Sequence, residues 1–419
     1  MPYQAPRGTH DILPSQAPSW QYLEATFRNL AEQYGYGEIR TPMFEDIEVF
    51  LRTSGETSDI VSKEMYAFKD RGDRDLCLKP EGTAPAIRAF IERQLGGTGI
   101  ISRLWYCAPI FRYDRPQKGR YRQSHQLGCE LIGSASPHAD AEVIEMTYQF
   151  YKSIGLEQIR INLNSIGKVE TRERYTNAIL DHCKSFLDSQ DTEFQERAHK
   201  NPLRLVDSKD PKLAELMQSV PSILDFLEDE SKAHFEGVQA ILVESEVPFS
   251  VDHRIVRGLD YYNDTVFEVQ SELLGAQSSL CGGGRYDSLV KKMGGPDIPA
   301  FGVGIGMERA LIVREELGLI IEENSPIAYV VNAAPQSREA ATKLTRKLRS
   351  LGLRVQYDLD GRALKQQMKQ ADKSKAKFAV IIGEDELARG DFALKNLTTI
   401  HQESLNFENL VARLQQRGD

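Results

Sequence analysis

A run of basic residues is the part of the chain whose side chains most clearly suit a charged ligand. Within FRYDRPQKGRYRQ, residues 111–123, five positions are basic and only Asp114 is acidic. The basic positions are Arg112, Arg115, Lys118, Arg120 and Arg122. A loop of this charge suits a polyanion, although a charge run is more often the solvated tip of a hairpin. Arg112 directly follows an apolar stretch, which favours the binding interpretation.

A second candidate combines alternating glycines with an arginine. In FGVGIGMERA, Gly302, Gly304 and Gly306 alternate along a predicted strand and leave a flat backbone shelf for a planar group. Arg309 begins the following helix, where its guanidinium could hold a phosphate with two hydrogen bonds. Close helix–strand packing with a surface arginine explains the same pattern. The spacing is not GxGxxG, and the chain has no GxxxxGK(S/T), so neither a dinucleotide-binding loop nor a P-loop is predicted.

A third candidate is LKPEGTAPAIRAF. Thr83 is predicted to cap a helix that begins near Ala84 and Pro85. Glu81 then lies just outside the helix, where its carboxylate either binds an ammonium group or complements the helix dipole. Two further segments, RGLDYYNDTVFEV and CGGGRYDSL, contain glycines that by themselves more often mark turns than sites.

Metal and disulfide chemistry find little support in the sequence. The five cysteines are never closer than 22 residues apart, which predicts reduced, mostly buried thiols. The eight histidines lack metal-ligand spacing, and His125 is predicted to be a packed or hydrogen-bonding residue. No metal site is therefore predicted.

The elements that position these residues follow from hydrophobic periodicity. Apolar residues at helical spacing predict an amphipathic helix with Trp20, Leu23, Phe27 and Leu30. A short strand is predicted around Pro42. RLWYCAPIF and YRQSHQLGCEL look like two strands on either side of the basic loop. Because side chains alternate along a strand, Gln126, Gly128 and Glu130 should share one face.

The pattern changes twice along the chain. Residues about 165–250 are mostly helical in pattern and predict an insertion between two β-rich parts. From Ile327, strands alternate with helices, which predicts parallel pairing in a small α/β domain. Residues 326–419 hold 16 Lys and Arg against 11 Asp and Glu, a net charge of +5. Since the whole chain carries −9, residues 1–325 carry −14, and we predict the two domains 1–325 and 326–419.

Length and composition limit the class of protein. The 419 residues predict two or three domains, and 41% apolar with 27% charged residues excludes a disordered chain. No stretch approaches the roughly 18 uncharged apolar residues of a membrane span, and the N-terminus lacks signal and transit features. We therefore expect a soluble, cytoplasmic protein with no membrane partner.

Taken in order, these segments resemble the bacterial-type histidyl-tRNA synthetases, which are class II aminoacyl-tRNA synthetases. The resemblance covers nearly the whole chain. It includes RGTHDILP, the class II dimer motif around RTPMFE with Pro42, FRYDRPQKGRYRQSHQLGCELIG as the second class motif and GVGIGMER as the third. RGLDYYNDTVFEV and GGGRYD resemble the family's two histidine-specific signatures. Each class motif alone is degenerate, whereas the ordered set is highly specific.

The resemblance implies a fold and an activity. The fold is an α+β class II catalytic domain with an antiparallel sheet, a helical insertion and a C-terminal α/β anticodon-binding domain, in a homodimer. The activity is activation of L-histidine with ATP to histidyl-adenylate and transfer of histidine to the 3′ end of tRNA(His), with Mg²⁺ expected alongside ATP. The basic charge of residues 326–419 fits the last domain.

The resemblance also implies roles for single residues. Arg112 and Arg309 should bind the ATP phosphates, and Arg257 resembles the catalytic arginine near the α-phosphate. The residues implied around histidine are Glu81 and Thr83 at its amino end, and Gln126, Glu130, Tyr262 and the nearby Tyr286. Arg115 and Gln117 match positions that meet the acceptor end of the tRNA, where the family reads an extra 5′ guanosine. Asp114 replaces the family's usual glutamate, so a contact with the adenine amino group depends on a shorter acid.

Physical chemistry agrees with these roles. The histidine carboxylate is already a nucleophile, so activation needs positioning and neutralisation of negative charge more than a general base. A buried acceptor such as Glu130 rejects apolar side chains because it stays unpaired when they bind.

Two other functions compete with this interpretation. One is a non-catalytic regulatory paralogue of ATP phosphoribosyltransferase that senses histidine. Such paralogues generally lack the anticodon-binding domain and catalytic signatures, whereas residues 327–419 and Arg257 are present here. The other is a general RNA-binding protein that uses only the basic C-terminal region, and ATP binding by residues 1–325 would argue against it.

Overall fold

The computed structural model describes residues 3–54, 60–96, 99–206, 210–255, 259–321, 323 and 325–416. Contacts along the chain divide it into two compact units, Met1–Ile321 and Glu322–Asp419. Arg257, predicted from the resemblance to be catalytic, lies outside the described residues.

The first unit contains helices and strands in mixed order. Its α-helices are α1 (Ala17–Gln33), α2 (Glu48–Ser54), α3 (Thr83–Glu92), α4 (Pro137–Ser153), α5 (Val169–Leu187), α6 (Thr192–Lys200), α7 (Pro211–Leu216), α8 (Asp229–Glu244), α9 (Leu289–Lys292) and α10 (Met307–Glu316). Its strands are β1 (Gly37–Glu38), β2 (Phe44–Asp46), β3 (Tyr66–Lys69), β4 (Asp75–Leu78), β5 (Ser102–Phe111), β6 (Gln123–Ile132), β7 (Arg160–Ser165), β8 (Ser250–Val251), β9 (Asn263–Gln270), β10 (Ser279–Arg285) and β11 (Ala300–Gly306). Short 3-10 helices lie at Pro202–Leu205, Met217–Ser219, Ile223–Phe226 and Glu272–Gln277, and a π-helical turn lies at Ile60–Glu64.

Eight of these strands form one sheet in the order β1-β5-β6-β11-β10-β9-β7-β8. Every pair from β5 to β7 is antiparallel, and only the edge pairs β1–β5 and β7–β8 are parallel. Strands β2, β4 and β3 form a small separate antiparallel sheet. The predicted antiparallel class II sheet is confirmed, and so are the two strands on either side of the basic loop, as β5 and β6.

The two faces of the large sheet have different roles. Apolar residues of β6, such as Leu127 and Leu131, point into a core that α1 and α4 cover. In that core the Phe27 ring contacts Trp105 and Phe150 edge-on, with centroids 5.9 and 5.2 Å apart. The alternate residues of β6 point to the opposite face, as the period of a strand requires. The predicted helix is confirmed as α1, although Leu30 is only partly buried.

The region between β7 and β8 is mainly helical. Helices α5 to α8 and three 3-10 turns lie there, in agreement with the helical insertion of the predicted fold. Buried residues of this region, including Tyr175 and Leu213, share a second core with Tyr261, Tyr262 and Tyr286. The insertion therefore packs behind strands that line the candidate site.

The short strand predicted around Pro42 is present as β2, but it begins two residues later, at Phe44. Pro42 lies in an irregular segment between β1 and β2. Proline has no N–H to give to a strand ladder. The segment is held instead by the Lys79 ammonium, which donates to the Thr41 carbonyl and hydroxyl oxygens.

The second unit is an α/β domain. Its strands are β12 (Ala328–Asn332), β13 (Val355–Tyr357), β14 (Phe378–Ile382), β15 (Phe392–Asn396) and β16 (Gln402–Leu405), and its helices are α11 (Arg338–Ser350), α12 (Leu364–Lys373), α13 (Glu384–Arg389) and α14 (Phe407–Gln415), with a 3-10 turn at Pro335–Ser337. The sheet order is β13-β12-β14-β15-β16. The predicted parallel pairing is confirmed for β12, β13 and β14. The prediction missed β15 and β16, which extend the sheet in antiparallel fashion.

Across the described parts of both units, no helix is long and apolar enough to span a bilayer.

Candidate active site

A cavity of about 570 Å³ lies on the face of the large sheet opposite the α1 core. Strands β6, β9, β10 and β11 contribute to its walls, together with the start of α3, the basic loop and the start of α10. The predicted site residues that line it are Glu81, Thr83, Arg112, Asp114, Gln126, Tyr262 and Arg309. Residues more than two hundred positions apart therefore converge on one cavity.

Other predicted site residues lie beside the cavity wall or away from it. Glu130 and Tyr286 are buried next to the lining residues and are hydrogen-bonded to each other. Arg115 and Gln117 are exposed in the basic loop and are not among the residues that line the cavity. This position leaves both side chains accessible to a large ligand outside the cavity.

Glu81 places a buried carboxylate at one end of the cavity. Its two oxygens accept the backbone N–H groups of Thr83 at 2.6 Å and Ala84 at 2.8 Å, at the N-terminus of α3. Burial raises the pKa of Glu81, and these N–H donors and the charge of Arg112 oppose the rise. The predicted capping role of Thr83 is wrong, since Thr83 is already the first residue of the helix and makes no capping bond. The carboxylate of Glu81 reaches the free N–H groups instead.

Glu130 is a second fully buried carboxyl at this end. The hydroxyl of Tyr106 donates to Oε1 at 3.1 Å, and that of Tyr286 donates to Oε2. Burial raises the pKa of Glu130 to about 8, while hydrogen bonds from Tyr286, Thr83 and Tyr106 oppose the rise. This carboxyl therefore changes its protonation state near neutral pH. The ionised form only accepts hydrogen bonds, whereas the protonated form also donates one.

Tyrosine rings enclose the same end. The Tyr261 ring lies 4.6 Å from that of Tyr262 and 5.6 Å from that of Tyr286, between centroids. Burial raises the pKa of Tyr261 well above its usual value, and the charges of Tyr262, Glu81 and Glu130 add to this effect. The hydroxyls therefore stay protonated as donors around the two carboxyls.

The alternating glycines of β11 make room for side chains of β6. A Cβ at Gly302 would lie 1.8 Å from Glu130 Oε2, and one at Gly304 would lie 1.9 Å from Gln126 Nε2. The Gln126 carbonyl oxygen also accepts the Gly82 N–H at 2.9 Å. The predicted backbone shelf is present, and part of it carries the protein's own side chains.

The other end of the cavity is cationic. Arg309 donates from Nε to the Gly119 carbonyl at 3.1 Å and from Nη1 to the Ser279 carbonyl at 2.6 Å. Arg112 donates from Nε to the Pro80 carbonyl at 2.8 Å. Among the described residues, neither guanidinium forms an ion pair with a carboxylate.

Burial and like charges lower the pKa of Arg309. Burial is the main cause, followed by the charges of Arg120 and Arg112, while Glu268 opposes them. Within the described part of the chain, Arg120 has one carboxylate partner, Asp114, at 3.3 Å. Three arginines with so little charge compensation suit an anion of several charges, such as a polyphosphate.

The basic loop is held on both sides. The Arg122 N–H donates to the Gly8 carbonyl at 2.7 Å, and the Arg122 guanidinium lies 3.9 Å from the centroid of the Tyr113 ring. Lys118 pairs with Glu316 of α10 at 2.5 Å. These contacts position Arg112 and Arg120 without neutralising the cavity.

Sequence reasoning missed several residues of the site. Tyr106 carries no motif signal, Tyr261 was not singled out within RGLDYYNDTVFEV, and Arg120 stood out only as part of the basic run. Glu308 accepts the backbone N–H of His125 at 2.8 Å and contacts its ring Nδ1 at 3.0 Å. His125 is thus a hydrogen-bonding histidine, as predicted, and the described residues contain no cluster of three metal-ligating side chains.

Family models, curated relatives and a solved structure point to the same family. A family model for histidyl-tRNA synthetase matches residues 8–310, and a model for an anticodon binding domain matches residues 327–417. The histidine–tRNA ligase of Listeria innocua is 46% identical over 418 residues, which cover 99% of this chain and 98% of that protein. That of a Geobacillus species is 45% identical over the full length of both chains. The crystal structure of apo histidyl-tRNA synthetase from S. aureus matches with a TM-score of 0.82 and 36% identity, covering 98% of this chain and 99% of that one.

Proposed function

This chain belongs to the histidyl-tRNA synthetase family, and from that premise we propose that it ligates L-histidine to the 3′ end of tRNA(His) at the expense of ATP. The observation that carries the proposal is the single cavity with a carboxyl- and tyrosine-rich end and an arginine-rich end. The first end suits an ammonium and an imidazole, and the second suits a triphosphate.

In the first step, an oxygen of the histidine carboxylate attacks the α-phosphorus of ATP. The bond between that phosphorus and the oxygen bridging to the β-phosphate breaks, and pyrophosphate leaves with the electron pair. Arg112 and Arg309 neutralise the phosphate charge, with Arg257 proposed at the α-phosphate. Positioned cations of this kind stabilise the transition state because they need no reorganisation during the reaction.

The residues around histidine are proposed to divide its recognition. Glu81 and Thr83 bind the amino group, whereas Gln126, Glu130, Tyr262 and Tyr286 surround the remainder of the amino acid. The imidazole N–H groups need acceptors, and a buried carboxyl that stays unpaired beside an apolar ring penalises the wrong amino acid.

Mg²⁺ is proposed to arrive with ATP. It usually keeps several waters and binds through one or two carboxylates and the substrate phosphates. The cavity wall offers the Glu268 carboxylate near Arg309, which fits a site of this kind.

In the second step, a hydroxyl of the terminal ribose of the tRNA attacks the adenylate carbonyl and AMP leaves. Arg115 and Gln117 are proposed to contact the acceptor end, and residues 326–419 to bind the anticodon. We also propose a cytoplasmic homodimer through the segment around Pro42, where Met43 and Phe44 are 43% and 54% exposed.

The test of this function is ATP–pyrophosphate exchange. The purified chain should exchange labelled pyrophosphate into ATP with histidine and not with other amino acids, and it should charge tRNA(His). Absence of exchange by correctly folded protein would reject the proposal. The regulatory-paralogue alternative is not favoured, because histidine–tRNA ligases match this chain over its full length, including the anticodon-binding region.

A further inference from the structure

Tyr106 contacts the site from behind the cavity wall. It lies in β5, is only 3% exposed, and donates its hydroxyl to Glu130 Oε1 at 3.1 Å. Because Tyr286 donates to Oε2, each oxygen of the Glu130 carboxyl has one phenolic donor. A carboxylate oxygen accepts two hydrogen bonds, and Thr83 also hydrogen-bonds this carboxyl, so one accepting position remains for a ligand N–H.

Two glycines leave the space that the Tyr106 ring occupies. A Cβ at Gly82 would lie 2.2 Å from the ring, and a Cβ at Gly128 would lie 2.4 Å from it. Gly128 is directly opposite Tyr106 in the pairing of β5 with β6, while Gly82 precedes α3. Two separate elements therefore lack a side chain at the points where this ring lies, which fixes the ring and with it the direction of the hydroxyl.

We propose that Tyr106 is a positioning residue that orients the Glu130 carboxylate toward the imidazole of bound histidine and keeps it a hydrogen-bond acceptor. The inference rests on the proposed function, since it assigns the imidazole to Glu130. Tyr106 acts through Glu130 and does not contact the substrate itself. Its contribution is to selection of histidine, while the ATP end of the cavity is independent of it.

The sign of the pH effect follows from the groups around Glu130. The titratable groups that face it are Tyr106, Tyr286, Tyr261, Glu81 and, on its own strand, Cys129. The hydroxyl of Tyr106 stabilises the ionised carboxylate and so lowers its pKa, against the rise that burial causes. Removal of this donor should raise the pKa of Glu130 further, so the carboxyl should remain protonated up to a higher pH.

The experiment compares Tyr106→Phe with Tyr175→Phe. The first change keeps the ring and removes the donor. The second removes a buried hydroxyl in α5 that has no hydrogen-bond partner among the described residues. Pyrophosphate exchange is measured between about pH 6 and about pH 9, with kcat and KM determined separately for histidine and ATP.

Tyr106→Phe should raise the KM for histidine about ten-fold, as expected for one buried hydrogen bond to a charged group, with the KM for ATP within about two-fold. The acidic limb of kcat/KM for histidine should move to higher pH, and Tyr175→Phe should change neither quantity. An unchanged histidine KM and pH profile in Tyr106→Phe would overturn the inference. So would a fall in activity that only follows a lower unfolding temperature.

Failure of the proposed function gives a different result. If the wild-type chain exchanges no pyrophosphate, the proposed function is rejected. If wild-type exchange is normal and Tyr106→Phe also behaves like wild type, the proposed function stands and the role given to Tyr106 is wrong. Calorimetric titration with histidine gives the same comparison without catalysis. A higher Kd for histidine is expected in Tyr106→Phe and not in Tyr175→Phe.

Discussion

Arg309 and Arg285 are both largely buried arginines, but their surroundings differ in charge. Arg285 is held by Asp140 and by Asp287, the latter at 3.0 Å, so its charge is compensated within the protein. Arg309 bonds only to carbonyl oxygens among the described residues. A buried cation without a counter-charge is unfavourable until an anion binds. This contrast supports the proposal that Arg309 binds the ligand, whereas Arg285 stabilises the fold.

We predict that Arg309→Gln lowers kcat/KM for ATP by about a hundred-fold or more, as loss of one positioned charge donor does elsewhere. Histidine binding, followed by calorimetry, should change little because Glu81 and Glu130 lie at the other end of the cavity. The matched control is Lys118→Gln, a cation of the adjoining loop that is 64% exposed and already paired with Glu316. Equal losses in both variants would show that general loop charge, and not Arg309, is responsible.

Lys79 is a buried residue with a role that its sequence position did not reveal. It is 0% exposed, and its ammonium donates to the Thr41 carbonyl at 3.3 Å and hydroxyl at 3.1 Å. Its backbone N–H donates to the Met43 carbonyl at 3.0 Å. The next residue, Pro80, accepts a hydrogen bond from Arg112, and Glu81 follows. Lys79 thus joins the segment around Pro42 to the backbone that positions both ends of the cavity.

For Lys79→Met we predict separate effects on stability and activity. Burial lowers the pKa of Lys79 from its ordinary value of 10.5, so the charged form disfavours folding. That penalty is fully present below the folded-state pKa and disappears as the pH rises above 10.5. At neutral pH the unfolding temperature should therefore stay the same or rise, while the KM values for histidine and ATP both increase about ten-fold through misplacement.

Thermal unfolding and exchange kinetics on the same samples test this separation. Lys69→Met, in the neighbouring strand β3, replaces a lysine that is 56% exposed and should leave both KM values unchanged. A destabilised Lys79→Met enzyme with normal KM values would mean that the ammonium only supports the fold.

At the scale of elements, the match between β6 and β11 determines the shape of the cavity end that is rich in carboxyl groups and tyrosines. The register places Glu130 opposite Gly302 and Gln126 opposite Gly306. Because the glycines have no Cβ, the long side chains of β6 lie across β11. The polar side chains of β6 therefore fit only because the neighbouring strand has glycines opposite them.

We predict that Gly302→Ala raises the KM for histidine at least ten-fold and lowers stability by about 1–3 kcal/mol, since the methyl group overpacks the site. Its Cβ would lie 1.8 Å from Glu130 Oε2 and 2.8 Å from the Cys129 carbonyl oxygen. Gly37→Ala is the control in the same sheet, because Gly37 does not line the cavity and its Cβ would meet nothing closer than 4.0 Å. Exchange kinetics and chemical denaturation give the two quantities. A normal histidine KM in Gly302→Ala would show that Glu130 moves aside at no cost.

The elements were predictable where apolar alternation or periodicity was strong. α1, β5 and β6 followed from it, as did the parallel strands β12 to β14. The strand predicted around Pro42 begins only at Phe44, because the segment before it is held by the Lys79 side chain, a contact that no local sequence pattern records. β15 and β16 were missed because FALKN and QESL mix polar and apolar residues without a clear period.

At the scale of the molecule, the ordered motifs predicted which distant residues meet. Glu81, Arg112 and Arg309 line one cavity as expected, although each motif alone left a plain structural explanation open. Tyr106 and the Glu308–His125 contact were not predictable, since they depend on pairs of residues from different elements. Long-range partners of this kind become visible only when the sheet register is known.

The last prediction separates the two units. The residues that line the cavity all precede residue 310, and the second unit has its own sheet and apolar core. A chain that ends near residue 325 should therefore keep histidine-dependent exchange within a few-fold of the full chain.

Charging of tRNA(His) by the truncated chain should weaken strongly, because residues 326–419 carry a net charge of +5. Removing these cations should also reduce the slope of log KM for tRNA against log salt concentration, since fewer counterions are released on binding. Unaltered charging and an unaltered salt slope in the truncated chain would contradict the assignment of the second unit to tRNA, and loss of exchange would contradict the independence of the cavity.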